Sequence, residues 1–72
     1  MDYSKHYRLL IERARVRECD GYSEVHHILP RCMNGGNESE NLFRLFPEEH
    51  CIAHLLLVKI YPDQPKLVYA LI

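Results

Sequence analysis

Residues 24–54 read EVHHILPRCMNGGNESENLFRLFPEEHCIAH and hold four of the five histidines of a 72-residue chain. His26 and His27 stand side by side at one end, and His50 and His54 stand four apart at the other. On a helix, residues four apart lie one turn above each other on the same face, so the imidazoles of His50 and His54 can converge on one point. On a strand, neighbours point to opposite faces, so His26 and His27 are expected to do different work. Such clustering suggests a metal site.

The surrounding pattern predicts the elements that carry these side chains. Tyr22 to Ile28 has the aromatic and β-branched content of a short strand, closed by Pro30. Residues 31–41, with Asn34-Gly35-Gly36-Asn37 at their centre, are too rich in turn formers for a helix and read as a polar loop. Leu42 to Phe46 is a second strand that pairs with the first as a hairpin. Pro47 marks a helix start, with Glu48 and Glu49 in a first turn where carboxylates complement the helix dipole, although Phe46 has no capping oxygen. That helix runs to about Tyr61, is stopped by Pro62, and is apolar nearly all round, which predicts burial.

Outside this stretch, residues 2–17 predict an amphipathic helix with Tyr3, Tyr7, Leu10, Ile11 and Ala14 on one stripe, and Asp20-Gly21 is a turn signal after it. Residues 65–72 form a second apolar helical pattern after a Pro62 to Pro65 turn. It is expected to pack on the first helix; the alternatives are a homodimer contact with a second copy, or a chain that is a fragment of a longer protein. The expected class is α+β: a two-stranded hairpin and a metal-site helix, flanked by an N-terminal helix and a short C-terminal one, in a single domain spanning 1–72.

Size and composition bound the function. A single apolar core in so short a chain supplies only about 3 to 5 kcal/mol, so a further staple is expected. Cys19, Cys32 and Cys51 are odd in number and lack C-x-x-C spacing, which disfavours disulfides. Cys51 reads as a small packed residue and Cys32 as a loop thiol. The N-terminus is neither a signal peptide nor a membrane span, and a reducing cytoplasm is the expected location. Net charge is −1 overall, yet residues 5–17 carry five bases, Lys5, Arg8, Arg13, Arg15 and Arg17, against one acid, Glu12, a local charge of +4. Such a segment can track phosphates or simply be a solvated helix face.

Three histidines, His26, His50 and His54, with positions left open for water or substrate would be a catalytic type of metal site, because structural zinc is usually closed by four protein ligands. His27 beside it would be a natural general base. By softness, imidazole donors suit zinc, nickel or manganese better than magnesium.

In V-H-H-I-L-P, the Gly35-Gly36 loop, N-L-F-R-L and E-H-C-I-A-H, in that order over about Tyr22 to Tyr61, the sequence resembles the HNH endonucleases, or ββα-metal nucleases. It is most similar to the phage-type homing endonucleases and, at the site, to the colicin DNases. The resemblance implies a ββα-metal fold and one divalent ion on His26, His50 and His54. It implies His27 as general base, and Asn41 as the residue that ties the loop down and orients that base. It further implies hydrolysis or nicking of DNA to 5′-phosphate and 3′-hydroxyl ends, in a bacterial or phage-infected cell. Arg31 and Arg44 are candidate phosphate contacts, as are Arg13, Arg15 and Arg17 of the basic segment. Two other classes compete: an inactive metal-stabilised DNA-binding module, and a small domain whose histidines hold only a folding metal. Retention of both His27 and Asn41 favours the nuclease, since neither is needed merely to bind an ion.

Overall fold

The computed structural model describes residues 1–17 and 21–69. Helix α1 (Tyr3–Arg15) is followed by strand β1 (Glu24–His27), strand β2 (Leu42–Leu45), helix α2 (Pro47–Ile60) and a short helix α3 (Lys66–Tyr69). The chain is thus α+β, with a helix, an antiparallel hairpin and a helix in the order of a ββα-metal fold. Among the described residues no helix is long and apolar enough to cross a membrane.

Each helix starts for a local reason. Asp2 caps α1 by accepting from the Lys5 backbone N–H at 3.0 Å, which satisfies one of the amides that a helix start leaves unpaired. In α2, Pro47 occupies the first turn, and the Glu49 carboxylate accepts from the Phe46 N–H at 3.1 Å. Phe46 has no side-chain acceptor to complete a reciprocal cap, so Glu49 alone closes this end. The Arg17 guanidinium grips the same carboxylate through both terminal nitrogens and lies 4.5 Å above the Phe46 ring, tying the exit of α1 to the start of α2. This bond to Arg17 holds the Glu49 carboxyl below its ordinary range.

Tyr7, Leu10, Ile11 and Ala14 form the buried stripe of α1, with the helical spacing expected of them. They meet Leu45 of β2, Ala53 and Leu57 of α2, and Leu67 of α3 in one core. Three readings of the sequence are corrected here. Although α2 is apolar nearly all round, only Ala53 and Leu57 are fully buried, while Ile52 and Leu55 remain 48 % and 51 % exposed. Cys51 shares that open side rather than packing inside. The reason is geometric: α1, the hairpin and α3 cover one side of α2 and leave its outer side to solvent. The chief packing partner of α3 is α2 rather than α1. Residues 70–72 of the expected C-terminal helix, and Cys19 and Asp20, lie outside the described residues.

In the hairpin, Glu24 pairs with Leu45, Val25 with Arg44, His26 with Phe43 and His27 with Leu42. The polar loop between the strands contains two 3₁₀ turns, Arg31–Met33 and Ser39–Asn41. Asn41 holds it closed. Its side-chain oxygen accepts from Leu29 N–H at 2.8 Å, and its amide donates to the carbonyls of Leu29 at 3.1 Å and Gly36 at 2.9 Å. Its own carbonyl accepts from Ile28 N–H at 2.9 Å.

Gly35 is needed for a steric reason, since a Cβ there would sit 1.8 Å from the Leu29 carbonyl oxygen, a backbone atom that cannot swing away. Replacing Gly35 by Ala is expected to destabilise the domain by about 1 to 3 kcal/mol, the usual range for overpacking. In a domain of this size that is a fall of roughly 5 to 20 °C in thermal midpoint. A melt unchanged from wild type would rule out this close approach of the loop.

Candidate active site

Strand alternation turns His26 inward, where it is 1 % exposed, and leaves its neighbour His27 half-buried. His50 and His54, one turn apart on α2, face His26 from the opposite side. The ring centroids lie 5.2 Å (His26 to His50), 5.3 Å (His26 to His54) and 4.7 Å (His50 to His54) apart. One nitrogen from each lies within 4.8 Å of the other two. Nitrogens bound to a common ion at about 2.1 Å are separated by roughly 3 to 4 Å, so small side-chain rotations bring all three to bonding distance.

Protonation states suit that use. Burial, followed by the neighbouring His54, His50 and His27, lowers the pKa of His26 to about 3, and burial followed by His50 lowers that of His54. Both imidazoles are therefore neutral at pH 7, the form that binds metals. Glu24 accepts from His50 Nδ1–H at 2.9 Å, and the other nitrogen of that ring, Nε2, faces His54 Nε2 at 3.0 Å. The bond to His50, and then that from Tyr22, keep the Glu24 carboxyl below its ordinary range. A carboxylate behind a ligating imidazole is a recurrent way to orient it and raise its basicity. Tyr7 of α1 lies 2.7 Å from His26 Nε2 and donates to the Ile28 carbonyl at 2.7 Å, and burial pushes its hydroxyl pKa upward. The Nδ1 atoms of His26 and His54 are buried without a hydrogen-bond partner. Buried polar atoms are normally paired, and a coordinated cation would satisfy these sites. The three histidines could hold one metal ion.

His27 opens onto the same cleft, a cavity of about 320 Å³ whose lining also includes His26, His50, His54, Arg31 and Lys66. Its Nε2 bonds to Asn37 Oδ1 at 2.9 Å. That oxygen can only accept, so Nε2 carries the proton and Nδ1 is the basic nitrogen of a neutral ring. The residue that touches the candidate base is thus Asn37. Asn41 acts one step away, through the backbone of Leu29 and Gly36 on either side of the loop that presents Asn37.

Of the arginines singled out in the sequence, Arg31 lines the cleft. Arg15 lies 4.9 Å over the Phe43 ring, Arg17 is engaged with Glu49 and Phe46, and Arg44 donates to Ser23 Oγ at 3.2 Å. Arg13 is exposed on α1. Lys66, Asn37, Glu24 and Tyr7 are the residues that sequence reasoning did not select. Glu24 had a signal, because it shares a strand face with His26 at a two-residue interval.

No family model and no solved structure matches the chain. Among curated proteins, it is 54 % identical over 63 residues to probable mobile endonuclease E of Enterobacteria phage T4, covering 86 % of this chain and 45 % of the relative. This chain is similar to phage mobile endonucleases. Probable mobile endonuclease D of the same phage is 44 % identical over 75 residues, covering 97 % of this chain and 29 % of the relative. Probable mobile endonuclease B is 50 % identical over 76 residues, covering 99 % and 28 %. The chain therefore spans less than half the length of these relatives.

Proposed function

We propose that the chain is an HNH-type nuclease domain that nicks or cuts DNA with the help of one divalent metal ion. The observation that carries this reading is the meeting, in one cleft, of three imidazoles able to share an ion and a fourth, His27, whose ring is held by Asn37. A domain that needed metal only for folding would have no use for that fourth histidine. That the phage relatives are mobile endonucleases by name supports a nucleic acid as the class of substrate.

His26, His50 and His54 are the residues that would hold the ion, and a divalent cation there would neutralise charge on the scissile phosphate and the leaving 3′ oxygen. His27 takes the proton from a water in line with the phosphate, at Nδ1, and its Nε2–H stays on Asn37 Oδ1 as positive charge develops on the ring. The amide oxygen stabilises that charge without removing the proton. Asn41 keeps the loop, and with it Asn37, at the correct distance from the base. Arg31 and Lys66 face the cleft with positive charge and orient the phosphodiester. Attack on phosphorus breaks the bond to the 3′ oxygen, which takes a proton from solvent, and leaves 5′-phosphate and 3′-hydroxyl ends.

The test is a supercoiled-plasmid assay on protein stripped with chelator and then given magnesium, manganese, nickel or zinc separately. Conversion to open circles or linear DNA only when a metal is restored is the expected result. A folded, metal-loaded protein that binds DNA in a salt-sensitive way but yields no product with any metal would replace the nuclease with a DNA-binding module.

A further inference from the structure

The Tyr7 hydroxyl stands between two atoms, 2.7 Å from the Ile28 carbonyl oxygen and 2.7 Å from His26 Nε2. A phenol has one proton to give. The carbonyl oxygen can only accept, and two oxygens cannot lie this close without a hydrogen between them, so the phenol proton points to Ile28. The phenol oxygen must then accept from His26, which places a hydrogen on Nε2. An imidazole that binds an ion does so through the nitrogen that bears no hydrogen, which here is Nδ1, one of the buried atoms with no hydrogen-bond partner.

We propose that Tyr7 is a positioning residue that locks His26 in the Nε2–H tautomer and so makes Nδ1 its metal-binding nitrogen. The inference rests on the metal-site reading above, and it reaches outside the hairpin and α2. Tyr7 belongs to α1, on the buried stripe whose other members, Leu10, Ile11 and Ala14, are purely apolar. Its hydroxyl is the polar group that α1 sends to the site, and it couples the docking of this helix to the state of a ligand on β1. With Glu24 fixing His50 through Nδ1–H, the two imidazoles are set in opposite senses: His26 offers Nδ1, and His50 offers Nε2. A carbonyl-backed phenol on one ligand and a carboxylate on another hold both rings before an ion arrives.

The experiment uses the intact chain, labelled with ¹⁵N-histidine, and its Tyr7→Phe variant. Long-range ¹⁵N–¹H NMR of the chelated wild type at pH 7.5 is expected to show His26 with a protonated Nε2 and an unprotonated Nδ1. In Tyr7→Phe the two signals should move toward a tautomer mixture. Zinc affinity, measured by competition with a chromophoric chelator, should fall about 10- to 100-fold with the stoichiometry still one ion per chain. Wild-type protein that takes up zinc but shows His26 as the Nδ1–H tautomer overturns the proposal, as does a folded Tyr7→Phe variant with unchanged zinc affinity. The wild-type spectrum decides the tautomer even if Tyr7→Phe does not fold. Wild type that binds no zinc overturns the metal-site reading itself, and with it the ligand role given to Nδ1.

Discussion

Replacing His27 by Ala is expected to lower plasmid nicking by about 10²- to 10⁴-fold, the usual contribution of a positioned general base. Fold and metal uptake should be nearly untouched, because His27 is half-buried at the end of β1 and its side-chain hydrogen bond goes only to Asn37 in a surface loop. The ligand nitrogens of His26, His50 and His54 remain where they are. Loss of activity with the same melting temperature and zinc stoichiometry would therefore separate the proton-transfer role from the metal-holding one. Partial recovery with added imidazole would locate the defect at the missing base. If His27→Ala cut DNA as fast as wild type, the water would have to be activated by another group, and the arrangement of Asn37 around His27 would have no catalytic meaning.

The parts of this site that could be read from the sequence are those fixed by the period of a single element. The four-residue spacing of His50 and His54 is enough to stack them on α2, and strand alternation is enough to send His26 inward and His27 toward solvent. What could not be read depends on how separate elements meet. Asn37 contacts His27 only because Asn41 and Gly35 fold the loop back over Leu29, and no periodicity marks that path. In the sequence Tyr7 is one more member of an apolar stripe, and its hydroxyl gains its partners only where α1 meets the hairpin. Lys66 reaches the cleft because α3 settles on α2. The exposed side of α2 has the complementary reason: hydrophobic content states what a helix can bury, whereas Ile52 and Leu55 show how much of it the neighbouring elements cover.

The chelated domain is expected to lose stability steeply as pH falls below about 6.5. In the unfolded chain His26 titrates with an ordinary pKa near 6.5, whereas in the folded chain burial first, then His54, His50 and His27, depress it to about 3. Between those values the unfolded state binds a proton that the folded state does not. Stability is thus fully present above pH 6.5 and is lost progressively as pH falls toward 3. Each unit of such a difference is worth about 1.4 kcal/mol, so a descent of two or three units costs an amount comparable with the roughly 3 to 5 kcal/mol that one small core supplies. The lowered pKa of His54 acts with the same sign, and those of Glu24 and Glu49 add to the loss at lower pH, where their carboxylates take up protons. Zinc should raise the midpoint at pH 7.5 and make the acid dependence steeper, because protons then compete directly with the ion for the imidazoles. Thermal melts at pH 7.5, 6.5, 5.5 and 4.5, with and without chelator, would measure this. His26→Leu provides the control: with the buried imidazole gone, the melt should respond less to acid over this range and should lose most of its response to zinc. A chelated wild type whose midpoint is the same at pH 7.5 and 4.5 would mean that His26 takes up its proton inside the fold at no cost, against the burial seen at the heart of the site.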